Sequence, residues 1–264
     1  MKDKLQAPID HDRVEESIID GVAGSVVVDM KSTTATTTRT VPEVSAISKE
    51  LLVGNDAQNA ILPDSAFVRF SWEYLKEIIR ENKSEFSCRM PSDLRKYLVW
   101  KTKVVKDYGS VANFVSFERS KWGPDEDLAK PISTELFEVR DDYRISMNDF
   151  PYGFEDGIIH SVVWTKNPIP KAQTESLTAD IIPEVRQKIQ IFVDTICDRL
   201  GMDSDDILWF KNWAASQSVS EIDHFHVLLN KPPADDGGIE KLHWLLVDDD
   251  DIRKKWAAVD SRLR

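Results

Sequence analysis

The spacing of apolar residues changes once along this chain, and that change decides the fold class. Phe70, Trp72, Tyr74, Leu75, Ile78 and Ile79 recur at helical intervals, with Ser71 or Asp64 placed to cap the helix. Pro91-Ser92-Asp93 opens a second helix that runs through Leu94, Tyr97, Leu98, Lys101 and Val105 to Tyr108-Gly109. Val111 to Phe117 predicts a third, short one. After Pro131 the period falls to two. Leu136 to Val139, Tyr143 to Met147 and Ile158 to Trp164 read as strands, with the turn-forming run Asn148-Asp149-Phe150-Pro151-Tyr152-Gly153 between the last two. A long helix follows over 178–200, with Ile182, Val185, Ile189, Phe192, Val193 and Ile196 on one face and Leu200-Gly201 at its end. Ile207 to Phe210 and Phe225 to Leu229 give two further strands. Helices first and β-β-α-β-β afterwards predict an α+β fold, with N-terminal helices packed on an antiparallel sheet that carries one long helix.

The ends of the chain read differently. Residues 1–62 include Ser32-Thr33-Thr34-Ala35-Thr36-Thr37-Thr38 and alternate charge with small residues. Such a segment buries too little apolar surface to offset its chain entropy, so it is expected to form a disordered tail. Residues 63–264 are expected to form one domain: a helical part over about 67–120, the sheet part over about 136–230, and a C-terminal strand and helix over about 240–262. Asp248-Asp249-Asp250-Asp251 fits the acidic start of that last helix better than a calcium loop, because the alternating ligands and glycine of such a loop are missing.

Chemistry concentrates in His224-Phe225-His226. Residues two apart on a strand point to the same face, so both imidazoles share one side while Phe225 and Val227 take the other. Such a pair suits nucleophilic, acid–base or metal-ligand roles. In the simpler reading, both rings are bonded to neighbours such as Asp223 or Glu221. A third reading is a metal-dependent hydrolase, its site completed by His160, His243, Asp223 or Glu221. Trp209 beside Lys211-Asn212 offers an aromatic and a cation suited to a base or sugar ring.

A formal charge of −12 argues against a nucleic-acid partner, which recruits a basic surface. No apolar run approaches the roughly 20 residues that span a bilayer, and Met1 to Glu16 lacks a signal-peptide core, so the expectation is a cytoplasmic protein with no membrane partner. Cys88 and Cys197 form no CxxC pair, so neither a disulfide framework nor a zinc ribbon is expected. No phosphate-loop or dinucleotide motif surrounds Gly237-Gly238, and no cofactor is expected.

Several segments, taken in order, resemble the histidine-triad superfamily of nucleotide hydrolases and transferases. They are Asp142-Tyr143-Arg144-Ile145, Asn148-Asp149-Phe150-Pro151, His160 to Lys166, the 178–200 helix, Asn212, Gln217-Ser218-Val219 and His224-Phe225-His226. The resemblance implies a pocket for a small-molecule ligand, a nucleotide or nucleotide-sugar. In it His226 attacks the α-phosphorus and His224 orients it or donates to phosphate. Asn212, Gln217 and Ser218 clamp the phosphate, and Asn148 or Asp149 lies near the ribose. His160 also belongs to the site, with Lys166 and Lys211 balancing anionic charge. The third histidine position is Leu228, and Trp213-Ala214-Ala215-Ser216 replaces the usual glycine-rich loop. Over about residues 67–247 the same landmarks, with Phe70-Ser71-Trp72 and Trp209-Phe210-Lys211-Asn212, resemble the fungal N-acetylglucosamine-induced protein family, a domain of unknown function. That likeness implies a role in the response to N-acetylglucosamine, either enzymatic or as a non-enzymatic binding or regulatory protein.

Overall fold

The computed structural model describes residues 47, 54–83, 88–123, 130–171, 180–213 and 217–232. Most of the predicted tail and all of the predicted C-terminal strand and helix lie outside these residues. The described helices are α1 (Gly54–Ala60), α2 (Trp72–Arg80), α3 (Pro91–Tyr108), α4 (Val111–Phe114) and α5 (Pro183–Leu200). The strands are β1 (Tyr143–Met147), β2 (Ile158–Thr165), β3 (Ile207–Phe210) and β4 (Asp223–Asn230). No described helix is long and apolar enough to cross a membrane.

Helix starts follow local chemistry. Ser71 caps α2 by accepting from the Tyr74 N–H at 3.3 Å, as predicted. Pro91 is the first residue of α3, where its missing N–H costs nothing. The α3 cap comes from elsewhere, since Asp64 Oδ1 accepts from the Ser92 N–H at 2.8 Å across a distant turn. Gly109 ends α3 at φ +81°, and Gly201 ends α5 in the left-handed region at φ +65°. After α4 the chain widens into a π-helical turn, Val115–Arg119.

The four strands form one antiparallel sheet in the order β1-β2-β4-β3. Helix α5 therefore carries the chain from β2 past β4 to the far edge. Its buried face (Ile189, Phe192, Val193, Ile196) packs on Ile145, Val163, Trp209, Phe225 and Val227 of one sheet side. The opposite side is covered too. Trp72, Leu75 and Ile78 of α2 pack on Phe210 and Leu228, while Val104, Val111 and Val115 pack with Val162 and Trp164. The α+β class and the β-β-α-β-β order stand, with the sheet enclosed between two helical layers.

Three expectations need correcting. Leu136 to Val139 is a turn and not a strand. Leu136 and Phe137 are both buried, Phe137 sits at φ +65°, and its ring stacks on Phe192 at 4.2 Å, so packing on α5 overrides strand alternation. Helix α5 begins at Pro183, because proline with its fixed φ sets the first turn; Thr178 lies outside the described residues. Ordered structure also reaches below residue 63. Helix α1 packs on α3, with Ala60 and Ile47 buried beside Leu94, Tyr97 and Leu98.

Candidate functional site

Register fixes what faces the helical layer. Val162 pairs with Ser146 and His226, and His226 pairs with Phe210, so those four side chains form one row across the sheet. The next row runs Arg144, Trp164, His224. His160 lies opposite Leu228, one row the other way. Both histidines of β4 share a face as the strand period requires, and β2 adds a third.

These rings are buried: His160 and His224 are 3% exposed and His226 is 4%. His226 Nδ1 meets His160 Nε2 at 2.9 Å, and its Nε2 lies 3.3 Å from Asn212 Nδ2. The Asn212 amide nitrogen can only donate, so His226 Nε2 accepts and the proton sits on Nδ1, facing His160; both nitrogens of His226 are engaged. Phe210 stacks on its ring at 4.7 Å. Asn212 Nδ2 also donates to the Tyr152 hydroxyl at 2.7 Å, and Asn148 Nδ2 lies 3.3 Å from His160 Nε2. The polar chain Tyr152–Asn212–His226–His160–Asn148 thus runs through an apolar layer.

His224 is placed differently. Its Nδ1 lies 2.8 Å from the Ile222 carbonyl, which can only accept, so the proton sits on Nδ1 and the Nε2 lone pair is free. No hydrogen bond engages that Nε2 among the described residues. Its ring rests on Trp164 at 4.7 Å. Neither Glu221 nor Asp223 partners the pair. Asp223 is held by Lys211 Nζ at 2.6 Å and by the Ile169 N–H at 3.0 Å.

Burial pushes all three imidazoles toward the neutral form. His224 falls to about 4 and His160 to about 3, the latter helped by the Arg89 charge. His226 falls well below the ordinary range through burial first, then its two histidine neighbours. The facing nitrogens of His160 and His226 have room for one proton only, which points the same way.

Above the sheet lies a cleft of about 570 Å³, counted with its solvent-open part. His224, His226, Asn148, Asp149 and Ser218 all border it. Its walls are aromatic, with Tyr97 and Trp100 from α3, Phe114 from α4, and Phe150 and Tyr152 from the β1–β2 loop. His160 sits beneath His226, while Gln217 Nε2 donates to the Asn212 carbonyl at 2.9 Å and so holds Asn212 in place. Two arginines outside the histidine-triad likeness, Arg89 and Arg119, also border the cleft. Arg119 is paired with Asp149 at 2.7 Å. Arg89 lies two residues before α3 and Tyr97 shares the helical face of Leu94 and Leu98; neither carries a sequence signal of a site.

Three predicted residues lie elsewhere. Trp209 pairs with Val227 in register, so it points to the α5 side, where its Nε1 donates to Gln190 Oε1 at 2.6 Å. Lys166, with 5% of its side chain exposed, is directed at the buried Asp142 carboxylate, 3.7 Å away. Lys211, with 3% of its side chain exposed, is held by Asp223 and the His224 carbonyl. Burial lowers its affinity for protons, and Asp223 opposes that. Where a third histidine would stand, Leu228 is fully buried against α2. Among the described residues, no three His, Cys, Asp or Glu side chains gather as metal ligands.

Comparison with known proteins agrees with the sequence likeness. The chain is 27% identical over 202 residues to N-acetylglucosamine-induced protein 1 of Candida albicans, covering 70% of this chain and 78% of that protein. It is 29% identical over 164 residues to the uncharacterized protein YPL067C of Saccharomyces cerevisiae, covering 62% of this chain and 80% of the yeast protein. Among solved structures, that of HTC1 matches with a TM-score of 0.52 and 27% identity, covering 70% of this chain and 96% of HTC1. Residues 71–230, more than half of the chain, match the model of the family described as protein of unknown function (DUF3605), and the chain belongs to that family.

Proposed function

We propose that the cleft binds a small anionic ligand carrying a ring, a nucleotide or nucleotide-sugar, and that the protein serves in the response to N-acetylglucosamine by this binding. The observation that carries the reading is His224. A neutral imidazole with one nitrogen tied to a carbonyl and the other free, bordering an aromatic cleft, is an oriented acceptor for a ligand hydroxyl or N–H. Aromatic walls suit a base or sugar ring. The histidine-triad likeness supports the same location, and the relative's name supports the biological setting.

Binding is favoured over covalent catalysis through His226, because both of its ring nitrogens are engaged and its lone pair is not presented to the cleft. A hydrolase or transferase reading would have to use His224. The test is thermal stabilisation by uridine monophosphate and UDP-N-acetylglucosamine. A ligand held at about 100 times its Kd adds roughly 2.7 kcal/mol to native stability, a shift of about 5–10 °C. His224→Ala should remove most of that shift. No stabilisation of the wild type by either compound refutes the proposal. Turnover of a nucleoside phosphoramidate that is lost in His226→Ala and kept in His224→Ala would return the nucleophile to His226.

A further inference from the structure

We infer that Arg89 and Tyr97 form an oxyanion subsite within this cleft, which takes the phosphoryl group of the ligand. The inference rests on the binding reading above and deepens it. Arg89 is fixed in place: its Nε donates to the Phe150 carbonyl at 2.9 Å, and its guanidinium carbon lies 4.1 Å over the Tyr97 ring and 5.1 Å from the Tyr152 ring centre. The guanidinium plane is thus held between two phenols while both Nη groups keep their donors, which no hydrogen bond engages among the described residues. No described carboxylate pairs with it within 4.0 Å, whereas the other cleft arginine, Arg119, is neutralised by Asp149.

Tyr97 supplies the second observation. It is 6% exposed, and its hydroxyl is one of three buried side-chain atoms without a partner among the described residues. The other two, Ser120 Oγ and Asn167 Oδ1, do not border the cleft. Buried hydroxyls are nearly always bonded, so this orphan, on a side chain that borders the cleft and carries the guanidinium over its ring, marks a missing acceptor. An Arg fork plus one O–H donor suits a tetrahedral oxyanion with several acceptor oxygens. Lys101 Nζ, 5.9 Å from the same ring, adds positive potential, of which the Asp56 carboxylate, close enough to feel both Arg89 and Lys101, offsets a part. In a chain of net charge −12, an anion needs such a local field to bind. The histidines cannot provide it, since burial keeps them neutral.

Calorimetric titration of the full chain with uridine monophosphate, uridine and inorganic phosphate tests this. The wild type should bind the monophosphate roughly tenfold or more tighter than uridine, as one charge-assisted hydrogen bond gives. Tyr97→Phe and Arg89→Gln should each lose most of that preference and keep the uridine affinity. Tyr97→Phe removes only an unpartnered atom, so its unfolding midpoint in urea should not fall. An intact preference in Tyr97→Phe overturns the subsite and leaves the cleft reading standing, whereas equal wild-type affinity for uridine and the monophosphate overturns the subsite and the anionic part of that reading. No binding of any of the three overturns both.

Discussion

Three neutral imidazoles packed in one layer make stability depend on pH in a way that can be worked out. An unfolded chain binds a proton at each histidine near pH 6.5. The folded protein does not, because burial lowers His224 to about 4, His160 to about 3 and His226 well below its ordinary value. Above about pH 6.5 neither state is protonated and the histidines contribute no difference. Below it the unfolded state gains protons that the folded state lacks, so stability falls as pH falls. The fall continues until the folded pKa is reached, near 4 for His224 and near 3 for His160. Each group costs about 1.4 kcal/mol per pH unit in that window. Between about pH 7.5 and 5.5 the three together remove ~4 kcal/mol, a large share of the ~5–15 kcal/mol typical of a domain.

Urea unfolding followed by tryptophan fluorescence at several pH values measures this directly. Ordinary carboxylates stay ionised down to about pH 5, so the early part of the fall belongs to histidine. His224→Gln should flatten the slope by about one third, whatever it does to absolute stability, and this separates the described histidines from His11 and His243. The native ring resonances of His160, His224 and His226 should also stay unshifted over the same range. A loss below about 1 kcal/mol between pH 7.5 and 5.5 would mean that the folded protein takes up protons there. That result would refute the dry, neutral layer on which the His224 acceptor role depends.

Two further substitutions probe how the site is held. A Cβ at Gly153 would lie 2.2 Å from Phe67 Cε1, so Gly153→Ala should cost roughly 1–3 kcal/mol in urea unfolding. Phe67→Leu in the same chain should restore much of that loss, and a purely additive double variant would argue against the clash. Lys211→Met removes the partner of Asp223 at the junction of β3 and β4. With Asp223 30% exposed, the loss should be about 2–3 kcal/mol, below that of a fully buried pair. Adding Asp223→Asn should reduce the loss, and failure to do so would show that the ion pair is not its source.

Much of the architecture was legible because it is written at short range. Ser71, Pro91, Gly109 and Gly201 punctuate helices through their own backbone chemistry, and a tertiary contact is not needed to read them. Leu136-Phe137 is ambiguous in sequence, because two adjacent buried side chains satisfy a turn packed on α5 as well as they satisfy a strand. The candidate site was legible in part. Strand parity placed His224 and His226 together, and the ordered motifs brought in Asn148, Asp149, Asn212 and Ser218.

Parity could not say which face Trp209 takes, because that depends on the β3–β4 register, in which Trp209 pairs with Val227. Nor could composition show that Lys166 and Lys211 are committed to Asp142 and Asp223, since those pairings are made where separate segments meet. The sequence by itself determined most of the elements, their order, and the shared face of the two β4 histidines. Only the tertiary structure decided that helices cover that face, that the imidazoles are therefore neutral, and that Arg89 and Tyr97 stand beside them. The physical reason is desolvation. A side chain's charge state and free hydrogen-bonding capacity depend on every segment packed around it, and that packing exists only once distant parts of the chain have met.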